Sequence, residues 1–204
     1  MTIRLGVLIS GSGTNLQAII DASESGALDA EVSVVISNHE AARGLDRARK
    51  HGIDAVFVER GTYPSARDYN AALRDILRSH GVDWVVMAGY MRLLGSQVLD
   101  FFPNRVLNIH PALLPSFPGA NGIRDAFDAG VKVTGVTVHF ADEHFDQGPI
   151  LAQEPVIIAE DDTLESLEAK IHAVEHRLYP AALQVIAQGR AEIVGRKVHI
   201  APAR

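Results

Sequence analysis

Cysteine is absent from this 204-residue chain, which excludes a disulfide framework and any thiolate zinc site. A basic excess is absent too. Nineteen lysines and arginines face 25 acidic residues, a formal charge of -6, so there is no clustered cationic surface to displace counterions from a nucleic acid. Aromatic residues make up only 6%, with a single tryptophan. Trp84 and Tyr90 lie too far apart along the chain to form a base-stacking platform, and read as core and pocket wall. No apolar run is long enough to span a bilayer, and Leu5 to Ile9, ahead of the Ser/Gly-rich stretch, is too short for a signal peptide. A cytoplasmic location without membrane or nucleic-acid partners is therefore expected. What the chain does have is 47% hydrophobic residues, enough to bury one core, so a single domain over 1–204 is expected.

Short apolar runs alternate with amphipathic stretches through the first half, the pattern of βα units around a parallel sheet. Strands are expected at residues 3–10, 32–37, 55–58, 84–88 and 106–109, and helices at 16–22, 41–51, 66–80 and 97–102. The fold class is thus α/β, doubly wound. After residue 130, segments 132–140 and 150–158 are both extended with no helix between them, which predicts an antiparallel pair. A long helix follows, opened by a capping box at Asp162-Thr163-Leu164-Glu165 and closed by Gly189, and residues 193–200 read as a small hairpin around Gly195.

The first strand runs into Ser10-Gly11-Ser12-Gly13-Thr14-Asn15, and Thr14 with Gln17 reads as a capping box that starts the next helix. Exposed amides and the helix dipole favour an anion at such an end, and Gly11 and Gly13 allow close approach. A monophosphate fits. Leu16 stands where a dinucleotide fingerprint needs its third glycine and there is no Walker lysine, so NAD and ATP are disfavoured. The alternative is a turn that only packs helix on strand.

Asn108-Ile109-His110-Pro111 falls at the expected end of the fifth strand, the side on which open α/β sheets bind ligands. Alternation puts Asn108 and His110 on one face. The loop from Ala112 to Gly119 is too apolar and proline-rich for a loose linker and reads as a shaped wall, while Asp146 lies in a polar loop within reach of the histidine. An amide can donate to an oxyanion, an imidazole can handle protons, and a carboxylate can orient the ring, which together suit acyl transfer. Spacing alone does not distinguish this from a structural Asn-x-His.

Five blocks carry a more specific signal: Ser10 to Gln17, Met91 to Leu94, Asn108 to Pro115, Gly135 to Phe140 and Asp146 to Ile150. In that order, over essentially the whole chain, they resemble the glycinamide ribonucleotide formyltransferase family of folate-dependent enzymes. The resemblance implies a three-layer, mostly parallel seven-stranded sheet with one antiparallel strand. It divides the domain into a phosphate- and substrate-binding half, 1–102, and a catalytic and folate-binding half, 103–204. It implies transfer of a formyl group from 10-formyltetrahydrofolate, a cosubstrate, to the amine of glycinamide ribonucleotide in purine biosynthesis, by a monomer or homodimer without a metal. Asn108, His110 and Asp146 are implied as catalytic, and Gly13, Thr14, Asn15 and Glu175 as substrate-binding. Arg67, Met91, Arg92, Leu93, Leu94 and Asn108 are implied on the folate side. The chain departs from the family at Asn121, where a histidine is common, and Arg67 is offset by one residue from the family arginine.

His172-Ala173-Val174-Glu175-His176 spells an inverted zinc-peptidase pattern, but no third protein ligand accompanies it, so no zinc site is expected. His176 and Tyr179-Pro180 are expected to pack the helix, and His139, inside an apolar strand, to be a satisfied core histidine. Other formyl-folate enzymes are the first rivals. Methionyl-tRNA formyltransferase calls for a basic tRNA surface and an extension. Formyltetrahydrofolate hydrolase calls for an N-terminal module, whereas here the first strand begins at once. From another class, a non-catalytic phosphosugar-binding protein would use the glycine loop and have no need of Asp146.

Overall fold

The computed structural model describes residues 2–202. Nine strands form one sheet in the order β3-β2-β1-β4-β5-β6-β7-β9-β8. Strands β1 (Ile3–Ile9), β2 (Ala30–Ser37), β3 (Asp54–Phe57), β4 (Trp84–Met87) and β5 (Val106–His110) pair in parallel. Strand β6 (Val133–Phe140) runs antiparallel to both β5 and β7 (Ile150–Ile157). It is the one reversed member of the seven-stranded core. The terminal hairpin of β8 (Ala191–Val194) and β9 (Lys197–Ile200) joins β7 through a single parallel bridge, Ile150 to Lys197. The sheet is thus longer than the seven strands implied by resemblance, by the two strands of a hairpin expected separately.

Alternation along β1 sends Leu5, Val7 and Ile9 into one core and Leu8 into the other. The first core lies under α1 (Thr14–Glu24), α2 (Arg43–Lys50) and α6 (Leu164–Ala187), the second under α3 (Ala66–Ser79) and α4 (Ser96–Leu99). This is a three-layer sandwich with both sheet faces covered, which is why its central strands are apolar on both sides. The stretch expected to be helical at 97–102 condenses to the single turn of α4, and α5 (Gly122–Asp128) arises where the sequence reading placed no element.

Both expected capping boxes need correction. Helix α1 is capped by Gly13 in the left-handed conformation (φ 69°), with no side-chain cap. The chain turns in through the glycine, so Thr14 is already helical, and Gln17 bonds to Asp21 and accepts from Arg47 instead. In α6 the box sits one residue later, with Thr163 and Ser166 exchanging bonds. Asp162 accepts from Ser166, Lys170 and the Ala159 amide, which together bring its carboxyl down to about 2.

Tyr179 of α6 is fully buried, and its hydroxyl lies 3.1 Å from the Met87 carbonyl and 3.0 Å from that of Leu107. It ties the long helix to β4 and β5 just below their functional ends. Tyr179→Phe keeps the ring and removes the single hydroxyl proton that these two buried carbonyls share, at an expected cost of about 1–3 kcal/mol. Urea unfolding checks this; an unchanged midpoint would show that water replaces the hydroxyl.

Candidate functional site

The strand order reverses between β1 and β4, opening a crevice beyond their C-terminal ends. The loop leaving β1 is held on both sides. The Ser10 amide donates to Gly89 (3.0 Å), and the Ser10 hydroxyl accepts from the Met91 amide (2.9 Å) while donating to Asn38. From α2, the Gly44 amide donates to Gly11 (3.1 Å), and Arg47 Nε donates to the Ser12 carbonyl (2.9 Å). A Cβ on Gly13 would stand 2.7 Å from the Gly44 Cα, so glycine is required there by contact as well as by φ. No motif marks Arg47 beyond its place on a basic helix, yet its side chain holds the loop from behind.

Ser10 to Asn15 line a cavity of about 530 Å³, closed on the far side by Arg124 of α5 and by Glu168, His172 and Glu175 of α6. Asn15 Nδ2 donates to Glu175 Oε2 at 3.0 Å, and Asn15 Oδ1 is buried without a partner among the described residues. Burial raises the Glu175 pKa, against the opposing effects of the Asn15 bond and of His172. The His172-to-His176 motif is therefore split: Glu175 is engaged by Asn15, and the two histidine rings stack 6.3 Å apart.

A second cavity, of about 330 Å³, shares Gly89, Met91, Ile109, Pro111 and Ala120 with the first. Its walls are Met87, Met91, Leu93, Leu94 and Phe145, and its floor is Asn108, His110, His139 and Asp146. Asn108 and His110 come from one face of β5, as alternation requires, and His139 lies directly opposite Asn108 on β6. The reading of His139 as a core residue is thus incomplete. It is 2% exposed, but it stands 3.1 Å from Asn108 Nδ2 and 3.6 Å from Asp146 Oδ1.

The side chains of His110 and Asp146 are each 5% exposed, with Nδ1 3.5 Å from Oδ2. The other ring nitrogen, Nε2, is 2.7 Å from the Phe117 carbonyl and must donate to it, which leaves Nδ1 as the nitrogen able to exchange a proton beside the carboxylate. Asp146 Oδ2 accepts from the Gly119 amide at 2.8 Å, and Oδ1 lies 3.4 Å from Asn108 Nδ2. Burial pushes the Asp146 carboxyl up, but the Gly119 amide and the two histidines beside it outweigh burial, and its pKa ends below the usual value. Both Asp146 (φ 55°) and Phe117 (φ 52°) are left-handed, a conformation that a bulky residue keeps only when its surroundings impose it. The apolar loop is indeed a wall: Thr137 donates to Ala112 and accepts from Leu114, and Gln153 donates to Leu114.

The site residues expected from the sequence therefore fall into two sets, Gly13, Thr14, Asn15 and Glu175 on the first cavity and Met91, Leu93, Leu94, Asn108, His110 and Asp146 on the second. Arg67 and Arg92 line neither. Arg67 is exposed on the first turn of α3, and the Arg92 guanidinium lies 5.8 Å from the centre of the Tyr69 ring. A polar, helix-capped cradle opening onto an apolar slot over an amide, an imidazole and a carboxylate is the apparatus of a two-substrate group transfer.

The chain belongs to the formyl transferase family, whose model matches residues 3–183. Within it, the chain is similar to phosphoribosylglycinamide formyltransferases. It is 39% identical to that of Bacillus subtilis over 89% of this chain and 93% of the relative. It superposes on glycinamide ribonucleotide transformylase 1 of Symbiobacterium toebii with a TM-score of 0.96 and 52% identity, covering 98% of this chain and 94% of that one. It is also 41% identical to part of the trifunctional purine biosynthetic protein adenosine-3 of Bos taurus, of whose length it spans 19%.

Because Asp146 has a lower pKa folded than unfolded, it adds stability that is fully present above its unfolded value of about 4 and is lost as pH falls through its folded value. The stability gap between wild type and Asp146→Asn should therefore narrow below pH ~4. Urea titrations from about pH 6 to pH 2 check this, and a gap independent of pH would show that the carboxylate gains nothing from its neighbours.

Proposed function

We propose that the chain transfers the formyl group of 10-formyltetrahydrofolate to the amine of glycinamide ribonucleotide. The observation that carries this reading is the junction of the two cavities beside Asn108, His110 and Asp146. A phosphoribosyl group seated on Gly13, Thr14 and Asn15, with its hydroxyls toward Glu175, directs the amine at the junction. A flat pterin between Met91, Leu93 and Leu94 brings its formyl carbon there from the other side. Arg67, outside the slot, is assigned to the carboxylate tail of the folate. Arg92, laid toward Tyr69, steadies the segment that borders the pterin.

The amine nitrogen forms a bond to the formyl carbon, and the carbonyl electron pair moves to oxygen, where Asn108 Nδ2 and His110 Nδ1 are its donors. Collapse of the tetrahedral intermediate breaks the bond to the folate nitrogen. The Nδ1 proton that His110 holds toward the oxyanion passes to that nitrogen, and the proton lost by the amine returns to Nδ1 through a water ordered by Asp146, so the enzyme ends in its starting protonation state. No step calls for a metal. An RNA substrate is disfavoured by the net charge of -6.

The test is spectrophotometric release of tetrahydrofolate with glycinamide ribonucleotide as acceptor, beside methionyl-tRNA and water. Release with water or methionyl-tRNA alone would replace the reading. Gly13→Val should raise KM for glycinamide ribonucleotide about tenfold or more, ~1.4 kcal/mol of binding, and leave KM for the folate unchanged. An equal rise in both would mark a general distortion. His110→Ala and Asp146→Asn should each lower kcat by roughly two to four decades, and the double variant should be little worse than the poorer single one. Multiplicative losses would show two separate roles.

A further inference from the structure

We infer that His139 is a positioning residue that fixes which end of the Asn108 amide faces the reacting centre, an inference that rests on the formyl-transfer reading. His139 Nδ1 is 2.9 Å from the Phe140 carbonyl oxygen. A carbonyl only accepts, so Nδ1 carries the proton, and in the neutral ring Nε2 is left as an acceptor. Asn108 presents one amide atom 3.1 Å from that Nε2 and 3.4 Å from Asp146 Oδ1. Both neighbours accept, so that atom is the nitrogen. The flipped amide would set its oxygen against a lone pair and a carboxylate at once.

The two N–H groups of Asn108 are not held alike. The one on His139 has an ordinary length, whereas the one toward Asp146 is at the outer limit of bonding. A developing oxyanion between Asn108 and His110 takes over the second N–H at little cost, while His139 keeps the first and with it the plane of the amide. The backbone carbonyl of Phe140 thus sets the tautomer, the tautomer sets the amide, and the amide offers one donor to the formyl oxygen. Asp146, 3.4 Å from the same amide nitrogen, disfavours the flipped amide as well; among the described residues the groups facing the ring are Asn108, Asp146 and the Phe140 carbonyl, with Gly148 packed behind it.

Two measurements test this. Nitrogen-15 NMR of the free protein should show His139 protonated at Nδ1 and bare at Nε2; the opposite tautomer would overturn the inference. This needs no turnover, so it stays decisive if glycinamide ribonucleotide proves not to be the acceptor. In kinetics, His139→Leu should lower kcat by about 10- to 100-fold with both KM values within about threefold, and His139→Gln, which keeps an acceptor, should recover most of the loss. In an Asn108→Ala background, His139→Leu should cost less than about threefold more. Multiplicative losses with Asn108, or a coupling to Asp146 alone, would overturn the assignment. If His139→Leu does not fold, His139→Ala, which also removes the acceptor, takes its place in the wild-type and Asn108→Ala backgrounds.

Discussion

The functional cluster depends on the antiparallel pairing of β5 with β6, which sets Leu107 opposite Phe140, Asn108 opposite His139 and His110 opposite Thr137. In an antiparallel pair, opposed side chains share a face. One register therefore delivers Asn108, His139, His110 and the threonine that holds the apolar loop to one side of the sheet. A slip by a single residue would turn Asn108 and His110 into the core under α6 and put Leu107 on the face they now occupy. The apolar set Val136, Val138 and Phe140 on the opposite face of β6, all buried, makes that slip prohibitive. Packing on one face thus specifies chemistry on the other.

Around this rigid pair the loops store strain. Left-handed backbone costs about 1–2 kcal/mol for a residue such as phenylalanine and less for aspartate, and two left-handed residues meet at His110: Phe117 through its carbonyl and Asp146 through its carboxylate. The chain returns from Asp146 to β7 by way of Gly148, where any Cβ would collide with the Phe140 carbonyl. That carbonyl is the one that accepts from His139. The Asp-x-Gly-Pro block is therefore a steric requirement as much as a chemical one: glycine lets the loop pass close over the end of β6, and the carboxylate arrives where both histidines can reach it.

The sequence made the sheet legible because its strands are buried on both faces and read as short apolar runs, and because β6 and β7 had no helix between them. The glycine loop and Asn108 to Pro111 were legible for the same reason, since motif and strand end coincide. Three features were not. Gly13 supplants Thr14 as helix cap because a left-handed entry and a side-chain cap look alike in a string of Ser, Gly and Thr. His139 read as core because alternation places a residue on a face without saying which residue of the neighbouring strand it will meet. Arg47 was silent because its partner is a backbone carbonyl, and no side-chain pattern announces one.

The electrostatic arrangement also explains why an acidic chain suits anionic ligands. The first cavity carries Glu168 and Glu175 on its wall, so attraction to a phosphate does not come from bulk charge. It comes from unpaired amides at the start of α1, from Arg124, and from Arg47 behind the loop, whose guanidinium bonds to a carbonyl and an amide and to no carboxylate among the described residues. Glu175 faces the same space with its pKa raised by burial. A carboxyl so placed is a poor partner for a phosphate and a good acceptor for a hydroxyl, which supports the proposed direction of a phosphoribosyl group: phosphate toward the glycine loop, sugar hydroxyls toward α6. In that proposed direction, the remaining end of the molecule points toward the wall shared with the apolar slot, where Ile109 and Pro111 flank His110.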